Sequence, residues 1–225
     1  MDLFKYDLVY QIIQAHLVDH FTFIPMLTKD HCEEDYLKKA KAGKCNNDLV
    51  KFLDECRRPE KRDIKQLGNF FKGKITIYKK DDEDKYFPRE NEGRQQYFKE
   101  IGDKLPSKSL ILVDPDNGLE IQHMKAKEKY VRYEEVQGLY NQMDESSILM
   151  IYQCYPRMRT KSNIQKYFDE RSEKLKNIAG DLPIYIDDNE IRFFFLTRNN
   201  KFLRELLGKE ISKYGTSYGL TVGNT

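Results

Sequence analysis

The sequence predicts a three-layer α/β domain: a mostly parallel sheet with a terminal antiparallel hairpin. Three observations lead there. Short apolar runs alternate with longer stretches whose apolar residues recur at helical spacing, the pattern of strands joined by crossover helices. One run, Leu110-Ile111-Leu112-Val113, is aliphatic without a break, as expected of a strand buried on both faces. Finally, residues 183–186 and 191–197 flank Asp187-Asp188-Asn189, an explicit turn between two apolar arms.

Taken in order, residues 3–18 carry Leu3, Phe4, Leu8, Val9, Ile12, Ile13 and Leu17 at helical spacing. Residues 21–27 read as a buried strand stopped by Lys29-Asp30. Helices are expected over 33–42, 47–56 and 61–72, so that about 31–72 forms a helical insertion beside the first strand. Residues 74–78 make a short strand, and the charged run 79–85 a solvated loop. A helix over 91–103 turns Tyr97, Phe98 and Ile101 inward before the aliphatic strand. Residues 133–143 form another helix, 148–152 a strand, and 163–178 a long charged helix with Ile164, Tyr167, Phe168 and Leu175 as its stripe. The hairpin, a last helix over 199–213 and a short extended tail complete the chain. No repeat and no Pro- or Ser-rich linker divides it, so residues 1–225 read as one domain.

With 34% charged and 39% apolar residues and a net charge of +2, the chain reads as a globular protein without a polybasic arm. No apolar run approaches the ~20 residues of a membrane helix. Asp2, Lys5 and Asp7 interrupt the opening, which is therefore not a signal peptide, and a cytoplasmic protein without a membrane partner is expected. Cys32, Cys45, Cys56 and Cys154 form no C-x-x-C pair, so reduced thiols are expected.

The aliphatic run leads into Asp114-Pro115-Asp116-Asn117-Gly118-Leu119-Glu120. Pro115 cannot donate to a ladder and ends the strand; Asn117-Gly118 allows a tight turn. In an open α/β sheet, ligands bind outside the carboxyl ends of the strands. Asp114, Asp116 and Asn117 are thus the candidate catalytic residues. An Asn-Gly hairpin is the plain alternative, but the polar stretch that follows does not alternate like a return strand.

Two stretches resemble a known family. The opening Leu3-Phe4-Lys5-Tyr6-Asp7-Leu8-Val9-Tyr10, followed by a helix and a strand, resembles that of bacterial ribosomal-RNA adenine methyltransferases. Asp114-Pro115-Asp116-Asn117 stands where amino-methyltransferases carry Asp-Pro-Pro-Tyr, and is also similar to a set of bacterial proteins sharing the Asp-Pro-Asp-Asn-Gly stretch. The resemblance implies a Rossmann-like class I methyltransferase fold, for which a parallel sheet ending in a hairpin is the expected order. It implies S-adenosylmethionine as cofactor, with Lys5 near its carboxylate and Tyr6, Thr28 and Asp30 completing the set. The implied substrate is an exocyclic amine of a nucleic-acid base, adenine first. Asp114 would hold the amine and orient its lone pair. Tyr152 or Tyr155 would stack on the base in place of the aromatic residue missing at Asn117. Gln153 and Arg157 would contact base or phosphate.

Three basic clusters, at 57–65, 125–132 and 157–161, with Tyr130, Tyr133 and Tyr155 among them, make nucleic acid the expected partner, RNA or DNA. Two other readings stay open. Asp114 and Asp116 with Glu120 would suit Mg²⁺ or Mn²⁺ in a metal-dependent nuclease. And because Thr28-Lys29-Asp30-His31-Cys32 follows the first strand without a glycine-rich turn, the chain would also suit a catalytically inactive methyltransferase-like module that binds nucleic acid.

Overall fold

The structure, a computed structural model, describes residues 3–28, 42–58, 63–78, 86–122, 126–156 and 160–225. It is an α/β fold around a seven-stranded mixed sheet. The chain runs through α1 (Leu3–Gln14), β1 (His20–Met26), α2 (Asn47–Glu55), a 3₁₀ turn (Ile64–Gln66) leading into α3 (Leu67–Phe70), and β2 (Ile75–Ile77). Then come α4 (Asn91–Gly102), β3 (Ser109–Pro115), β4 (Gly118–Leu119), β5 (Tyr130–Val131), α5 (Tyr133–Gln142) and β6 (Ile148–Cys154). Helix α6 (Lys161–Ala179), β7 (Ile184–Asp187), β8 (Ile191–Thr197), α7 (Lys201–Tyr218) and β9 (Thr221–Gly223) close it.

The strand order is β2-β1-β3-β6-β8-β7-β9. β2, β1, β3 and β6 pair in parallel; β8 pairs antiparallel with both β6 and β7, and β9 antiparallel with β7. Five of these seven strands therefore run in one direction, with β8 and β9 against them, and what is corrected is the terminal place expected for the hairpin. The reason lies in the tail. Thr221-Val222-Gly223 follows Gly219, a left-handed C-cap that stops α7, and lies along the free edge of β7. The hairpin is thus an interior pair, not the sheet's last element.

Side chains alternate across each strand. Leu110 and Leu112 meet one apolar cluster with α1, α2, α3 and α7, while Ile111 and Val113 meet a second with α4, α5 and α6. These are the outer layers of a three-layer domain, and β3, with neighbours on both sides and residues 110–113 fully buried, has the double burial its aliphatic run calls for. The expected helix over 61–72 is shorter, because Asp63 caps a 3₁₀ turn and the α-helical part ends at Phe70. Most of the expected helix over 33–42 and the charged loop at 79–85 lie outside the described residues. The Asp-Pro-Asp-Asn-Gly stretch is not a hairpin: β4 pairs in parallel with β5, in a separate two-stranded sheet. Among the described residues no helix is long and apolar enough to cross a membrane.

Buried polar contacts lock the layers together. Asp7, fully buried in α1, accepts from the Tyr214 hydroxyl of α7 at 2.7 Å and from Asn46, the N-cap of α2, at 2.8 Å. Arg94 of α4 is fully buried; it holds Glu135 of α5 through two contacts of 2.6 and 2.7 Å and donates to the carbonyls of Lys127 and Tyr130. This fixes the approach to β5 beside the β3 loop. It follows the rule that a buried charge keeps its full set of partners.

Candidate functional site at the carboxyl edge of β1 and β3

After β1 the chain passes to β2 on one side of it, then returns to lay β3 on the other. The strand order reverses between β1 and β3, which is where an open α/β sheet leaves a crevice at its carboxyl edge. Register sets Pro25 opposite Asp114 and Met26 opposite Pro115. The candidate carboxylates therefore stand at the switch point.

Asp114 lies on the α1 face of β3, next after Val113 of the opposite face. Lys5 reaches it from α1 with Nζ 2.7 Å from Oδ2. Lys5 is only 7% exposed, and its ammonium also lies over the rings of Tyr6, Phe23 and Tyr152 at 5.0, 5.8 and 5.9 Å. Aromatic faces favour a cation there but do not replace a hydrogen-bond acceptor, which Asp114 supplies. Beside this pair the Thr28 hydroxyl donates to Asp116. Lys5, Thr28, Asp114, Asp116 and Tyr152, singled out from sequence, thus gather at one edge, with Tyr6 buried beneath Lys5 and edge-on to Phe23.

The other candidates fall elsewhere. Gln153 is fully buried: Oε1 accepts from the Leu119 N–H at 2.9 Å, and Nε2 donates to the carbonyls of Asn117 and Cys154 and to the Tyr167 hydroxyl. It holds the loop after β3 and is not placed to meet a substrate. Gly118 explains the tightness of that contact, since at φ +104° a Cβ on it would stand 2.5 Å from the Gln153 carboxamide. Tyr155 faces the opposite layer, its ring 4.7 Å from that of Phe168, away from Lys5. Burial, with the Asp187 carboxylate next in weight, pushes its hydroxyl pKa up. Glu120 accepts from the Tyr133 N–H at the start of α5. Of the metal set Asp114, Asp116 and Glu120, each thus has a different partner, and among the described residues no three His, Cys, Asp or Glu side chains form a group that could hold a metal ion. Asp30 and Arg157 lie outside the described residues.

Two arginines near the site escaped the sequence reading. Arg94 stands in the apolar stripe 94, 97, 98, 101, and Arg171 in the stripe 164, 167, 168, 171, 175. A charge at a position that helical spacing assigns to the core was the signal. Such a residue must be buried with partners, or buried for a ligand.

The sequence was compared with models of protein families and with curated proteins. No family model matches it, and neither does any curated protein.

Proposed function

We propose that this chain is a methyltransferase-like protein that uses S-adenosylmethionine and acts on an exocyclic amine of a nucleic-acid base, adenine being the first candidate. One observation carries the reading: Asp114, held by Lys5, stands at the switch point of a sheet whose parallel strands are followed by an antiparallel hairpin. That is the strand arrangement expected of the class I methyltransferase fold, and the place where its amine-holding residue belongs.

The residues fit the cofactor in part. Lys5 offers a cation for a carboxylate, and the Thr28 hydroxyl stands at the same edge. Gly43 is the first glycine of the chain, so no glycine follows β1 closely, and side chains rather than bare backbone would line that side. When bound, the cofactor supplies an electrophilic methyl group. The chain's own residues do the rest. Asp114 accepts a hydrogen bond from the amine and turns its lone pair toward the electrophile. Lys5 keeps that carboxylate in place, and Tyr152, half-buried on the same face, offers a ring to stack on the base.

The glycine-free turn favours one second reading, an inactive module of the same fold that binds nucleic acid without methylating it. The metal-dependent nuclease has less support, because its three carboxylates are committed to different partners.

Transfer of a labelled methyl group to adenine-containing RNA and DNA oligonucleotides tests the proposal. Wild-type protein is expected to label one of them. Asp114→Asn should lower the rate at least about a hundredfold, the scale of losing one preorganised electrostatic group, with Asp116→Asn milder. Cofactor binding without transfer would favour the inactive module.

A further inference from the structure

Beside the β3 loop, α6 and the start of α5 enclose an open groove of about 1030 Å³. Arg171 lines it and is 5% exposed. Its guanidinium stacks 3.3 Å from the centre of the Tyr167 ring, and Nη1 donates to the Tyr167 carbonyl one turn earlier. The Nε is buried with no hydrogen-bond partner, and among the described residues no carboxylate lies within ion-pair distance. The other two deeply buried arginines among the described residues are treated differently: Arg94 has Glu135 and Arg192 has Asp187, at 2.6 and 2.7 Å. A buried guanidinium without an anion costs folding free energy, and a site keeps one where an anion comes from outside.

The remaining charges of the groove do not supply that anion. Asp169 is exposed and accepts from Gln165, Glu173 is exposed beside Lys176, and Glu170 and Lys166, which also line the groove, are exposed. Glu120 is engaged by the Tyr133 N–H. Lys174, also lining the groove, lies over the Tyr133 ring at 4.8 Å. One buried side chain ties the wall of the groove to the loop after β3. Gln153 Nε2 donates both to the Asn117 carbonyl, at 2.9 Å, and to the Tyr167 hydroxyl, at 3.0 Å, so a single side chain bridges the loop after Asp114 and the ring under Arg171.

We infer that Arg171, stacked on Tyr167, is a seat for a backbone phosphate of a single-stranded nucleic-acid substrate whose target base lies at Asp114. This rests on the function proposed above and adds the element that grips the strand. Arginine suits the task because its planar fork pairs with a phosphate and stacks at the same time. A phosphate contact positions a strand without reading its sequence.

The test is the fluorescence anisotropy of short labelled single-stranded RNA and DNA, titrated with full-length wild type, Arg171→Met and Arg171→Lys over a range of salt. Arg171→Met should weaken binding about tenfold or more and lower the slope of log K against log salt by about one, the loss of one phosphate contact. Arg171→Lys should keep the slope and lose only part of the affinity. Because Arg171→Met removes an unpaired buried charge, its melting temperature should hold or rise. Should it fall, Arg171→Lys carries the comparison. No binding by wild type, or equal binding and equal slope in all three proteins, overturns the inference. Cofactor binding measured on the same samples separates the outcomes. Arg171-dependent binding without cofactor affinity retains the phosphate seat and removes the methyltransferase reading; cofactor affinity with Arg171-independent binding does the reverse.

Discussion

A lysine ammonium drawn out of water needs an acceptor, and Lys5 has Asp114 at 2.7 Å. The two side chains are 9% and 18% exposed, dry enough for the pair to strengthen and wet enough for Asp114 to meet a ligand. The same contact makes each residue's mutation ambiguous. Asp114→Asn removes the charge that Lys5 was placed to meet, so some loss of stability accompanies any loss of activity. A double-mutant cycle on Lys5→Met and Asp114→Asn resolves this. Denaturant melts of the four proteins should give a coupling of about 1–3 kcal/mol, with the double variant more stable than the sum of the singles predicts. Additive effects would show that the contact contributes nothing to folding. Lys5 and Asp114 were each legible in the sequence, one in an amphipathic helix and one at a strand end. Their meeting was not, because it depends on how α1 packs across the sheet.

At the scale of elements, the loop after β3 is held from below. Gln153 bonds Leu119 and Asn117 on the loop and Tyr167 on α6, and Gly118 leaves room for it. Gln153→Leu keeps the volume and leaves a buried N–H and carbonyl without that partner. About 2–4 kcal/mol of stability should be lost, read as a lower midpoint in urea at unchanged slope. A loss below about 1 kcal/mol would mean that the loop finds other partners. In sequence Gln153 looked like a substrate contact because it is a polar residue at a strand end. A fully buried glutamine and an exposed one are written identically, and only the folded loop, with β4 laid beside β5 and bonded to Gln153, tells them apart. The long elements were plain because α1, β3, α6 and the hairpin announce themselves by spacing over many residues. The tail was legible as extended but its pairing as β9 was not, since three residues carry too little pattern to name a partner; their place is decided by the open edge of β7.

For the whole molecule, the layers close over several tyrosines. The chain has 15, and burial raises the hydroxyl pKa of Tyr97, Tyr133 and Tyr155, and pushes Tyr167 and Tyr218 up to about 12. A tyrosine whose folded pKa lies above its unfolded value, about 10, contributes stability that is fully present below that pH. This stability is lost as pH rises through the folded pKa. An alkaline titration followed by near-ultraviolet absorbance should therefore show two phases, exposed tyrosines ionising near pH 10 and the buried group only at higher pH, together with unfolding. A single phase for all of them would contradict the packing described for α4, α5 and α6.

The claim that a cofactor meets the crevice between β1 and β3 is tested most directly by calorimetric titration of S-adenosylmethionine into the wild-type chain and Lys5→Met. Binding in the micromolar range to wild type is expected, and at least about tenfold weaker binding to Lys5→Met, the loss of one charge-assisted contact. No heat of binding at millimolar cofactor, or equal affinity in the two proteins, would contradict it.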